Sequence, residues 1–248
     1  MLYALCFVPY EFMSGHSHWA GIKHRKEIND SKRAKIFTRL AKPIVLAARE
    51  GGGNPETNFK LRLAVEKARQ FNMPKDNIEK AVKRGTGEIA GAEIEEALYE
   101  AVGPGGVMII IKTTTDNRNR TVSEIKHILS KNKAKLGEQG SALWNFDQVG
   151  LISLEKNSQW EENELIAIDS GAIDVKTNEE NTLVYTRIQD LKKIQTIFSQ
   201  KKLPLIDFQI FYLPKNIIQL NSKNQLDYDK LLEDLEDQED VEEIFDNL

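Results

Sequence analysis

The sequence predicts an α+β protein in which a basic, all-helical N-terminal domain precedes two α/β domains, the last inserted into the middle one. Three observations point there. Apolar residues recur at helical spacing up to about residue 87, and as short β-branched runs after it. Charge divides at the same place, with 17 Lys and Arg against 8 Asp and Glu over residues 1 to 87, and 17 against 30 beyond. The closing strand–helix–strand set is too small to stand alone, so it must complete an earlier one.

Taken in order, residues 1 to 12 read as an extension, disordered or spurious, with Met13 as the functional start; they carry no Lys or Arg. Residues 13 to 90 form the helical domain. Its first helix runs to about Arg49, where Gly51, Gly52, Gly53, Asn54 and Pro55 stop it, and Pro43 should kink or split it by removing a hydrogen bond. A second helix covers about 56 to 71, and a third opens after Pro74 and closes at Gly85. Strands 94–102 and 107–115 flank Gly103 to Gly106, a turn rather than a phosphate loop, because a strand follows it. A helix over about 121 to 133 and a strand at 142–146 come next, with Asp116 or Asn119 placed to cap that helix. Residues 148 to 213 then alternate as β-α-β-β-α-β, the order of a ferredoxin-like unit. Strand 217–220, helix 226–235 and strand 241–245 return the chain to the middle domain, which therefore spans 91 to 147 and 214 to 248.

The first helix carries the functional signal. At 100° per residue, Lys32, Lys35, Arg39, Lys42 and Arg49 share one arc of about 100°, while Ile36, Phe37, Leu40, Ala41, Ile44 and Ala48 lie opposite. The apolar side can dock while the cations face polyanions. Ahead of it, Gly15 to Trp19 and Lys23, His24, Arg25 and Lys26 form a cationic arm whose Trp19 can stack on a base. Phosphate contacts are therefore expected at Lys23, His24, Arg25, Lys26, Lys32, Arg33, Lys35 and Arg39, with Lys42, Arg118 and Arg120 as secondary contacts. The acidic stretch from Asp227 to Asp246 reads as a solvated helix face rather than a mimic of nucleic acid.

Other functions lack their chemistry. One cysteine, Cys6, excludes an internal disulfide framework or a Cys-based zinc site. His16, His18 and His24 have no Cys or carboxylate at ligand spacing, and His127 reads as structural, so no metal or other cofactor is expected. No run approaches the roughly 20 apolar residues of a membrane span. No nucleophile elbow or activated acid pair is present, so neither an enzyme nor a small-molecule substrate is predicted.

The start GHSHW, KHRK, KRAKIF, NMPKDNIEKAVKRGTGE, GPGGV, TDNRNRT and GEQGSALWNF occur in that order, and together resemble the YebC/PmpR family from Met13 to the C-terminus. That family includes bacterial regulators and the mitochondrial translational activator. The resemblance implies a cytoplasmic, non-enzymatic regulator with a helical domain and two α/β domains, acting on promoter DNA. Its alternative implication is a ribosome-associated translation factor that binds ribosomal RNA and relieves stalling. Two positions depart from the family pattern: His18 stands where a Lys is usual, and Pro43 lies in a helix that is usually uninterrupted.

Overall fold

The structure, a computed structural model, describes residues 30 to 248, with side chains from residue 35 onward. The extension at 1 to 12, the arm with Lys23, His24, Arg25 and Lys26, and the side chains of Lys32 and Arg33 lie outside the described residues. Three helices come first: α1 (Asp30–Gly51), α2 (Phe59–Gln70) and α3 (Lys75–Gly85). Then follow β1 (Glu95–Val102), β2 (Met108–Thr115), α4 (Arg118–Lys131) and β3 (Lys135–Leu136). Next are β4 (Phe146–Glu155), α5 (Trp160–Asp169), β5 (Asp174–Thr177), β6 (Asn181–Thr186), α6 (Ile188–Gln200) and β7 (Leu205–Pro214). The chain closes with α7 (Ser222–Glu236) and β8 (Val241–Asp246). It divides into two compact units, one running to Asn145 and resuming at Pro214, the other Phe146–Leu213.

The helical module closes around its own core. Leu40, Ile44, Val45 and Ala48 of α1 meet Leu61, Val65 and Ala68 of α2 and Ile78 and Ala81 of α3. Asn58 ties the first two helices together, accepting from Leu61 N at 3.1 Å as the N-cap of α2 while donating to the carbonyls of Ala47 (2.7 Å) and Gly52 (2.8 Å). Gly85 lets α3 touch the α1 backbone, since a Cβ there would collide with the Val45 carbonyl and the Ala48 side chain. Contrary to expectation, α1 is not split: one helix of 22 residues runs through Pro43. Proline removes a single bond to the Arg39 carbonyl, and the helix is gripped on both sides of that gap. Ile44, Val45, Ala47 and Ala48 are buried in the core, and Lys42 is held from the other side.

The middle sheet has the order β3-β1-β2-β8, with β2 antiparallel to both β1 and β8. Ile125 and Leu129 of α4 and Tyr228, Leu231 and Leu235 of α7 pack with Ala101, Ile109 and Ile111 of the sheet. The second sheet has the order β5-β6-β4-β7, and its β-α-β-β-α-β sequence is ferredoxin-like. Its core is Ile152, Leu154, Ala167, Val184, Leu191, Ile194 and Phe198.

Three sequence expectations fail around the point of insertion. Residues 143 to 145 form a 3-10 turn instead of a strand, 217 to 220 are irregular, and a two-residue β3 goes unforeseen. Asparagines take the place of strand pairing. Asn216 Nδ2 donates to Asn145 Oδ1 (2.7 Å), Asn145 Nδ2 returns a bond to the Asn216 carbonyl (3.1 Å), and Ile218 N donates to the Asn247 carbonyl (2.8 Å). The chain thus leaves for the inserted domain and comes back through one amide clasp.

Candidate nucleic-acid interface

The described cations of α1 do not form one open lane. Lys35 and Arg49 are exposed, and Arg49 lies 3.4 Å from Glu93. Arg39 and Lys42 instead turn onto the segment joining α7 to β8. Arg39 Nη2 donates to the carbonyls of Glu236 and Gln238, the latter at 3.0 Å. Lys42 Nζ donates to the Glu239 carbonyl at 3.0 Å and pairs with the Asp240 carboxylate. The Asp240 side chain is 0% exposed and that of Lys42 10%, so this ion pair is out of water. Burial draws the Arg39 guanidinium below its ordinary pKa, opposed by the charges of Glu236, Asp237 and Glu242.

Asp240 collects further donors. Thr121 Oγ1 lies at 2.7 Å, Arg120 Nη2 at 3.2 Å and Gln238 Nε2 at 3.3 Å. Burial raises the Asp240 pKa, but Lys42, Thr121 and Arg120 outweigh it and hold the carboxyl below its usual range. Gln238 shapes the turn by accepting from Asp240 N (2.7 Å) and Val241 N (2.8 Å) through Oε1. The acidic stretch is therefore not all solvated face: its turn is a docking point for the first helix. Sequence reasoning missed Asp240 because the run 236–240, Glu-Asp-Gln-Glu-Asp, gives no sign of which carboxylate is buried.

The second candidate pair divides the same way. Arg118 is exposed, with Glu95 at 3.7 Å, whereas Arg120 is taken by Asp116 (2.9 Å) and Asp240. The cap of α4 is Asn117, whose side chain accepts from Arg120 N, rather than Asp116 or Asn119. His127 is exposed rather than packed in a core, and borders an open depression of about 450 Å³ with Glu124, Asp234 and Asp237. Arg69 of α2 and Lys80 and Lys83 of α3 are exposed too. The charge of the whole module signalled such exposed cations, although the helical wheel of α1 does not reach them. Among the described residues no group of three His, Cys, Asp or Glu is placed to hold a metal ion, and no helix is long and apolar enough to cross a membrane.

Residues 17–88 match the model of the TACO1/YebC protein N-terminal domain, and residues 94–248 that of the TACO1/YebC second and third domain. The chain belongs to the TACO1/YebC family. It is 44% identical over 238 residues to a "probable transcriptional regulatory protein" of Caldanaerobacter subterraneus subsp. tengcongensis, covering 95% of this chain and 98% of the relative. A protein of the same description from Fervidobacterium nodosum is 46% identical over 237 residues, covering 95% and 93%. The crystal structure of a conserved hypothetical protein from Aquifex aeolicus superposes with a TM-score of 0.78 at 39% identity, covering 93% of this chain and 96% of that one.

Three of the motifs that carry the YebC resemblance sit at joints. TDNRNRT supplies Arg120 and Thr121 to Asp240. GPGGV makes the β1–β2 turn, where Gly105 takes a φ of 73° and a Cβ would run into Leu220. GEQGSALWNF wraps the buried Glu100 carboxylate, which accepts from the N–H groups of Gly140 (2.6 Å), Ala142 (2.7 Å) and Leu143 (2.8 Å). Burial raises the Glu100 pKa, and these three donors bring it below the usual value.

Proposed function

We propose that this protein is a cytoplasmic, non-enzymatic regulator that binds nucleic acid through its helical module and acts as a DNA-binding transcriptional regulator. One observation carries the reading: exposed Lys35, Arg69, Lys80 and Lys83 decorate a module with a strong excess of cations, in a family whose relatives are named as transcriptional regulators. Such charges neutralise backbone phosphates and release counterions. Lys23, His24, Arg25, Lys26, Lys32 and Arg33 belong to the same proposed surface, with Arg118 at its edge. Five phosphates held by Lys23, Arg25, Lys26, Lys32 and Lys35 give a log–log salt slope of about -4.5, and two more at Arg39 and Lys42 steepen it to about -6.3. Fluorescence anisotropy of a labelled duplex across a salt series measures it, and a slope near zero rejects the reading.

A second reading has its own observation. Helix α3 opens on Pro74, Lys75 and Asp76, and an acid in the first turn suits neither a phosphate nor a guanine edge. Contacts restricted to backbone and shape suit ribosomal RNA equally well, which favours the translation factor. Sedimentation of lysate through a sucrose gradient separates the two. Ribosome co-migration that survives DNase supports the translation factor, and free protein with a defined promoter footprint supports the DNA regulator.

A further inference from the structure

The Arg39 and Lys42 contacts join two bodies whose apolar interiors are separate. The helical core gathers residues from Leu40 to Ile94, and the middle-domain core gathers residues from Ala101 to Val241. Polar bonds supply the grip of α1 on the α7–β8 turn. The turn offers α1 three backbone carbonyls, of Glu236, Gln238 and Glu239, and one carboxylate. An array of oxygens with a negative charge is also what a phosphate backbone presents to Arg and Lys.

We infer that the Glu236–Asp240 turn is a built-in competitor for nucleic acid: it occupies Arg39 and Lys42 in the unbound protein, and a phosphate backbone lying along α1 displaces it. This rests on the proposed reading of the helical module as a phosphate binder. The geometry makes the turn releasable. When Lys42 leaves, Asp240 keeps Thr121, Arg120 and Gln238, so no buried carboxylate is orphaned. The freed Arg39 and Lys42 lie in the same helical arc as Lys35, ready for adjacent phosphates. Binding and docking of the turn are then linked, and each weakens the other by the same factor.

The test alters the turn and leaves the cations alone. Asp240→Asn retains oxygen and shape but removes the charge that is paired with Lys42. At fixed salt, a random-sequence duplex of 30 base pairs should bind this variant roughly tenfold more tightly than the wild type. Hydrogen exchange on the unaltered protein provides an independent readout: amides of Gln238 to Val241 should exchange faster once the duplex is added. Equal affinity of a folded Asp240→Asn protein, or unchanged exchange in the duplex-bound wild type, overturns the competitor while the nucleic-acid reading stands. Absence of duplex binding by both proteins at low salt overturns that reading, and the competitor with it.

Discussion

The middle and inserted domains are built from the same parts, four antiparallel strands and two helices, yet they are held together differently. The middle domain is assembled from two segments, and polar side chains of one reach across to the other. Arg120 and Thr121 meet Asp240, Lys131 and Asn132 meet Asp234 at 2.9 and 2.7 Å, Lys133 meets Asp227 at 2.7 Å, and Met108 N donates to Asn247. Lys112 on β2 adds Glu243 (3.3 Å), Glu242 (3.6 Å) and Glu96 (4.0 Å). Burial lowers its pKa, but the three carboxylates raise it well above the ordinary lysine value. The inserted domain, continuous in sequence, relies on Ile152, Leu154, Val184, Ile194 and Phe198. Apolar burial is non-directional, whereas hydrogen bonds and buried ion pairs fix register. A segment that returns after the whole of an inserted domain needs the second kind of instruction.

The largest effects should come from truncating each domain at its characteristic support. Asp240→Ala leaves Lys42 buried without its carboxylate and should cost about 3–5 kcal/mol. Phe198→Ala opens a cavity in the inserted core at a similar cost of about 3–5 kcal/mol. Hydrogen exchange resolved by segment should show the first loosening in α1, α4 and β8, and the second in β4, β6 and α6. Loosening of the inserted strands by Asp240→Ala would erase the distinction between the two domains.

Next comes the clasp at the insertion point. Asn216→Ala removes the donor to Asn145 Oδ1 and should destabilise the discontinuous unit by about 1–2 kcal/mol, read as a lower urea midpoint. A side-chain amide of the inserted domain facing solvent, such as Gln200, should cost far less when truncated.

Acid sharpens the comparison without any substitution. Glu100 is held low by three backbone donors and Asp240 by Lys42, Thr121 and Arg120, each against the opposing effect of burial; Asp234 is held low by Asn132 and Lys131. All three belong to the discontinuous unit. A carboxyl whose folded pKa lies below its unfolded value, about 3.9 for Asp and 4.3 for Glu, gives stability that is complete above that range. It is lost as pH falls through the folded value. On titration downward from about pH 5, the unit with Glu100 and Asp240 should therefore unfold before the β4–β7 domain, as followed by exchange or by resolved amide signals. Simultaneous loss would show that these carboxylates do not govern its acid stability.

The same division decides what was legible in the sequence. The order of the inserted domain could be read because each of its apolar runs pairs with a neighbour only a few residues away. The apolar face of α1 was legible for the same reason: Leu40, Ile44 and Ala48 follow a local period. Its charged face was not, because the partners of Arg39 and Lys42 lie 197 to 199 residues further on. A helical wheel assigns every charged arc to solvent unless it is told of an acidic turn elsewhere. Segments 142–146 and 217–220 misled for a related reason, since β-branched and apolar residues there are fastened by Asn145, Asn216 and Asn247 instead of by a ladder.

The smallest effects should come from exposed charges, and they isolate burial as the cause of the difference. Arg118 is exposed in the middle domain, 3.7 Å from Glu95, and Lys193 is exposed on α6 of the inserted one. Charges at the surface gain little, because water screens them and a pair must order two side chains. Arg118→Ala and Lys193→Ala should each change stability by less than about 0.5 kcal/mol, whichever domain carries them. They part on binding: if Arg118 contacts a phosphate, its removal makes the salt slope shallower by about 0.9, whereas removal of Lys193 leaves it unchanged. An unaltered slope for Arg118→Ala would confine the phosphate surface to the helical module, and a shallower one for Lys193→Ala would extend it to the inserted domain.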